Sequence, residues 1–168
     1  MLMIAGESEA AVIMTFGDTQ VFGPSPYEEA GFTISATTPN NAILDAADSP
    51  FSSPYFTFQG TTTSATIVFA GGPFDLVSLD IALGEFSMGG PTDITFLGSL
   101  VGGGSISTTF TNVSTIQNVV LNWTGLSSVT ISGTDDPGLD NIVLVPEPSS
   151  GLVLGLGLFG AAVRRKRG

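Results

Sequence analysis

Carboxylates, together with one terminal cluster of cations, are the side chains of this sequence with chemistry to offer. The chain has 15 Asp and Glu, 4 Lys and Arg, no His and no Cys. The cations are Arg164, Arg165, Lys166 and Arg167, so residues 1–163 carry every acid and no base. Such a body cannot assemble a Ser–His or Cys–His pair, a lysine nucleophile or an arginine clamp. It also lacks the Lys and Arg that phosphate contacts need, which excludes nucleic acid as a partner. Two kinds of chemistry are left to the acids. One is glycoside hydrolysis by two carboxylates held across a cleft. The other is calcium ligation, which takes about six to eight oxygens from carboxylates, amides and carbonyls.

The C-terminus holds a second pattern with a different purpose. Pro146-Glu147-Pro148 is followed by Ser149 and Ser150, then by an apolar run from Gly151 to Val163, then by the four cations. Proline fixes φ and has no amide donor, so Pro146 and Pro148 are expected to end the strand pattern before them and to leave Glu147 exposed and charged. A helix over Gly151–Val163 would be roughly 20 Å long against a hydrocarbon core of roughly 30 Å. The basic end would stay on the cytoplasmic side and snorkel. A short, glycine-rich helix of this kind suits a transient anchor better than a permanent one.

The elements that must position the acids read as all-β. Runs rich in Thr, Val, Ile and Phe are separated by Gly, Pro, Asn, Asp and Ser. Strands are expected over 11–16, 31–36, 55–58, 65–69, 74–83, 93–100, 105–111, 117–121, 127–132 and 141–145. This spacing suggests a β-sandwich of jelly-roll type. Thr37 to Pro54 reads as a long loop with one short helical turn, and long ordered loops are often binding loops. Without cysteine there are no disulfides, so residues 11–145 must build a real core, and they are enough for one domain. Met1–Ala5 is an apolar stub followed by Glu7 and Glu9, with Ser8-Glu9-Ala10 shaped like a cleavage site. Residues 1–10 are therefore expected to be the remnant of a signal peptide or a mis-called start.

Placed on these strands, few acids converge. Asp75 and Asp80 are five apart, which points them to opposite faces of one strand. Glu28 and Glu29 also diverge if extended, and Asp135-Asp136 reads as a turn before Pro137-Gly138. In jelly-roll sandwiches resembling carbohydrate-binding modules the first and last strands are neighbours, and a calcium ion can clip them together. Asp18 after the first strand, Asp140 and Asn141 at the opening of the last, and Glu28 are the candidate ligands. The alternative is that Asp140-Asn141 shapes a turn through side-chain to backbone hydrogen bonds. Trp123 could stack a sugar ring, but it also continues the Val119, Leu121 alternation of a core face.

The terminal pattern resembles a known family. Val145-Pro-Glu-Pro-Ser-Ser150, the Gly/Leu-rich run and the Arg-rich end are similar to the PEP-CTERM sorting signal of Gram-negative bacteria. The resemblance implies recognition by an exosortase, an integral-membrane cysteine transpeptidase that would cut at or near Pro146-Glu147-Pro148. Residues 146–168 would then hold the chain at the inner membrane during sorting, with Arg164–Arg167 as the cytoplasmic stop, before release to the cell surface or extracellular matrix. Tyr27-Glu-Glu-Ala-Gly-Phe-Thr-Ile34, Gly72–Asp80, Leu97–Phe110 and Leu139–Ile142 resemble the β-sandwich ectodomain common among such proteins. The expectation is an exported, non-catalytic surface or matrix protein with exosortase and the membrane as partners and exopolysaccharide as its surroundings. A lectin-like carbohydrate-binding module, calcium-stabilised, is the alternative, and a hydrolase a more distant one.

Overall fold

Hydroxyl-bearing and apolar residues alternate along much of the body, and a period of two sorts side chains to opposite faces of a strand. Ala65 and Ile67 are buried beside the partly exposed Ser64 and Thr66, and Ile94 and Phe96 beside Asp93 and Thr95. The computed structural model describes residues 10–17, 20–23, 26–37, 41–47, 49–59, 63–85, 87 and 90–147. The strands are β1 (Val12–Met14), β2 (Val21–Phe22), β3 (Tyr27–Glu29), β4 (Phe32–Ala36), β5 (Asn41–Leu44), β6 (Tyr55–Phe58), β7 (Ser64–Phe69), β8 (Phe74–Leu83), β9 (Thr92–Leu100), β10 (Ser105–Val113), β11 (Gln117–Gly133) and β12 (Pro137–Pro146).

All twelve join one antiparallel sheet in the order β2-β5-β6-β12-β8-β11-β7-β4-β3, with β1 on β12 and β9 linking β11 to β10. The sheet curls because β11 serves two arms. Its first part, from Gln117 to Leu126, pairs with β8, and its second part pairs with β9 and β7. Register shifts fall between Val120 and Trp123, between Trp123 and Leu126, and between Leu126 and Ser128. Asn122 and Gly125 take positive φ there, as bulges that re-aim a strand do.

The main core lies between the arms, and a smaller cluster of Ala42, Leu44 and Tyr55 packs with Phe51. Phe16 stacks on Phe56 at 5.8 Å and meets Tyr27 at 5.4 Å, so it touches β6 from one arm and β3 from the other. Phe32 meets Phe74 edge-on at 5.4 Å and Phe96 meets Phe110 at 5.9 Å. The outer face is laced by hydroxyls, Thr95 with Thr109 at 2.8 Å and Thr66 with Thr130 at 3.3 Å.

The all-β class stands, and several boundaries are corrected. The segment expected as a loop with a helical turn contains β5, whose residues Asn41–Leu44 are all buried against β6. The strands expected over 117–121 and 127–132 are one 17-residue strand, because its bulges turn the chain without ending the ladder. The last strand starts at Pro137, not Asn141, and runs to Pro146. β2 and β3 are only two and three residues long and form by pairing with β5 and β4. Among the described residues there is no helix, and none long and apolar enough to cross a membrane. The expected terminal helix over 151–163 lies outside them.

Candidate functional site

The Pro146-Glu147-Pro148 pattern begins inside the sheet. Pro146 is the last residue of β12, buried and in register with Phe74. A strand end is where a residue without an N–H does least harm to a ladder. Glu147 then donates its backbone N–H to the Pro73 carbonyl at 3.0 Å. Its Oε1 accepts the Gly125 N–H at 2.9 Å, and the same N–H is shared with Asp75 Oδ1 at 3.1 Å. Gly125 sits at the β11 bulge with φ +69°, a left-handed conformation that glycine adopts without strain. Burial pushes the Glu147 carboxyl up, helped by the hydrogen bond and charge of Asp75 and opposed by the Gly125 N–H. Glu147 is thus docked and partly buried, a correction to the exposed residue expected between two prolines. The physical reason is that the turn before β8 and the β11 bulge supply an acceptor and a donor at the same place. Pro148 and the basic residues Arg164, Arg165, Lys166 and Arg167 lie outside the described residues.

A second cluster surrounds Asp140. This residue is fully buried in the middle of β12, opposite Asp80 of β8, rather than at a strand opening. Its Oδ2 accepts the Ser53 hydroxyl, its Oδ1 accepts the Asn141 N–H at 2.7 Å, and the Asn141 amide bridges it to Asp80. Asp80 also accepts the Asn118 amide at 2.8 Å. Burial raises the Asp140 carboxyl most; the Ser53 and Asn141 hydrogen bonds lower it, and the charges of Asp80 and Glu29 raise it further. Asn141 has φ +48°, which asparagine tolerates better than most residues. Of the candidate calcium ligands, Asp140 and Asn141 are therefore together, whereas Asp18 lies outside the described residues. Among those described, no three or more acids are grouped so as to hold a metal.

Glu29, not Glu28, faces the first strand. Its carboxylate accepts the backbone N–H of Thr15 at 2.9 Å and of Phe16 at 3.2 Å, and the Tyr27 hydroxyl at 3.2 Å. Burial, then the charge and hydrogen bond of Glu29, push the Tyr27 hydroxyl up to about 12. Glu28 is exposed on β3. The sequence offered a signal for this only in the parity of the strand, which becomes readable once β3 is paired.

The pairs considered for hydrolysis stay apart. The buried positions of β8 change from Phe74 and Leu76 to Leu79 and Ile81, so the alternation slips at Val77-Ser78. Asp75 and Asp80 both take partly exposed positions rather than opposite faces, and they serve the two separate clusters above. An open depression of about 440 Å³ is lined by Ala47, Ser49, Pro50, Leu83, Gly84, Glu85 and Ser87, with one carboxylate among them. Trp123 is 7% exposed and Tyr55 is fully buried, with its hydroxyl accepting the Glu85 N–H at 2.9 Å. The exposed aromatic among the described residues is Phe22, at 66% on the edge strand β2.

No curated protein matches this chain. Solved structures do, at low identity. TmCBM61, solved in complex with β-1,4-galactotriose, is similar at 12% identity and a TM-score of 0.43, over 70% of this chain and 90% of its own. The CBM32-3 module from a family 31 glycoside hydrolase of Clostridium perfringens is similar at 13% identity and a TM-score of 0.42, over 72% of this chain and 100% of its own. A family two carbohydrate esterase from Cellvibrio japonicus is similar at 14% identity and a TM-score of 0.46, over 82% of this chain but 35% of its own. At the C-terminus the comparison is with a family: residues 144–167 match the PEP-CTERM protein-sorting motif, so the docked Pro146 and Glu147 are the first part of a sorting signal.

Proposed function

We propose that this is an exported, non-catalytic protein of the bacterial surface or extracellular matrix, released from its anchor by an exosortase. The observation that carries the reading is the sorting motif over residues 144–167 on a body without a basic side chain. Pro146-Glu147-Pro148 is the recognition element, Gly151–Val163 the transient membrane helix and Arg164–Arg167 the cytoplasmic stop. The two arms of the sheet act as a jelly-roll-like sandwich whose acidic, hydroxyl-rich exterior suits a hydrated exopolysaccharide matrix. Separated carboxylates and the absence of His and Cys support a body without catalysis.

Replacing Pro146-Glu147-Pro148 by alanines in a host with an exosortase tests this. Loss of the shortened mature form and of surface display is expected, and unchanged processing refutes the reading. Sugar binding is weaker, since Trp123 and Tyr55 are buried; hits on a glycan array that disappear in Phe22→Ala would restore it. Calcium at Asp18, Asp140 and Asn141 is carried along as a stabiliser of the body, favoured by the charges of Asp80 and Glu29 beside buried Asp140.

A further inference from the structure

A segment cut by a peptide-cleaving enzyme must be accessible on both sides of the bond. Pro146 and Glu147 are not. The Pro146 ring is buried in register with Phe74, the Glu147 N–H is used by Pro73, and the Glu147 carboxylate is held by Gly125. The three groups that hold them come from the turn before β8, from β8 itself and from the bulge of β11. They belong to the folded body and lie far from the motif in sequence, Gly125 by 22 residues. The grip is adjustable, because Asp75 competes with Glu147 for the one Gly125 N–H.

We propose that the body latches its own sorting signal: Gly125 and Pro73 hold Glu147 against the sheet, Asp75 weakens that hold, and processing waits for the end of β12 to open. Asp75 and Gly125 are then positioning residues for the processing step. The inference rests on the sorting reading above. It adds that the rate of cutting is set by local opening of two residues and not by the signal alone. Terminal turns of a strand open far more readily than a core, so such a gate delays processing without blocking it. It also makes the delay a property of the folded body, since an unfolded body has no latch and would be cut without waiting.

The test uses the full chain and two variants with the motif, helix and basic end intact. The first inserts Gly-Ser-Gly-Ser between Val145 and Pro146, which lifts the motif off the sheet. The second is Asp75→Asn, which removes the competing carboxylate and places an amide donor beside Glu147. Two quantities are read: amide hydrogen exchange at Glu147 in detergent without enzyme, and pulse–chase processing in a host with an exosortase. With the insertion, Glu147 exchange and processing are both expected to rise about tenfold, the loss of roughly one to two net hydrogen bonds, while the body still unfolds in one transition with a midpoint lowered by only a few degrees. Asp75→Asn is expected to slow both several-fold. Equal processing of all three chains overturns the gate and leaves the sorting reading standing. Fast Glu147 exchange in the wild type overturns the latch itself. If no chain is processed, the sorting reading falls and takes the gate with it, whatever the exchange shows.

Discussion

Ser53→Ala is expected to destabilise the body by about 2 kcal/mol at neutral pH. Asp140 is fully buried and takes three hydrogen bonds: from the Ser53 hydroxyl, from the Asn141 N–H at 2.7 Å and from the Asn141 amide at 3.3 Å. Ser53 is the donor that comes from another part of the fold, tying the approach to β6 onto the middle of β12. A hydrogen bond to a charged acceptor contributes about 1.5–3 kcal/mol, and a carboxylate left short of a donor in a buried site has no water to replace it. The serine is itself only partly buried, which favours the lower half of that range. For a domain of this size the midpoint would fall by roughly 6–10 °C. Trp123, the single tryptophan and a buried one, reports unfolding by fluorescence in a urea titration. The dependence on pH sharpens the test. Burial raises the Asp140 carboxyl, and once protonated it can donate as well as accept, so the cost of Ser53→Ala should shrink on acidification. A loss below about 0.5 kcal/mol at neutral pH, or a loss that does not change on acidification, would rule out this role for the Ser53 hydroxyl.

Other outcomes follow from the same geometry. Gly98→Ala should cost about 1–3 kcal/mol, because its Cβ would meet Leu126 Cδ2 at 2.7 Å, Ile106 Cγ2 at 3.0 Å and Trp123 Cε3 at 3.1 Å; an unchanged urea midpoint would contradict that packing. Asp140 and Glu147 are both raised in the folded state, so the stability they lend is complete below their ordinary values of 3.8 and 4.5 and fades as pH rises through the higher folded values. The chain should therefore melt at a higher temperature near pH 4 than near pH 7, and a midpoint that climbs over that interval would reverse the sign. Tyr27 is raised in the same sense, from 10.0 to about 12, so its contribution should survive until pH passes 10 and be lost by about 12, read as the alkaline limb of the melting curve. With calcium in excess over EDTA the midpoint should rise by a few degrees; identical midpoints reject the Asp18, Asp140 and Asn141 site.

Sequence alone determined whatever is written contiguously. The sorting signal is such a case, since its prolines, apolar run and cations act in order along one stretch. The class of the fold is another: a period of two survives in β4, β7 and β9 because each strand has one face on the core. The exclusion of thiol and imidazole chemistry, and of guanidinium chemistry from residues 1–163, needs only a census of residues. Tertiary structure decided the rest, for reasons of register. β5 reads as a loop because Asn41 and Ala42 do not alternate, and it is a strand because β6 pairs with it. β11 reads as two strands because the alternation breaks at its bulges, where the backbone bends and the ladder continues. Glu147 reads as a free charge between two prolines. It is docked because Pro73 stands just before the neighbouring strand and the Gly125 bulge lies on the one beyond it, far apart in sequence. Hydrogen bonds between strands depend on which residues face each other, and no local pattern states that. The signal was therefore visible in the sequence, and the grip of the body on its first two residues became visible only in the folded sheet.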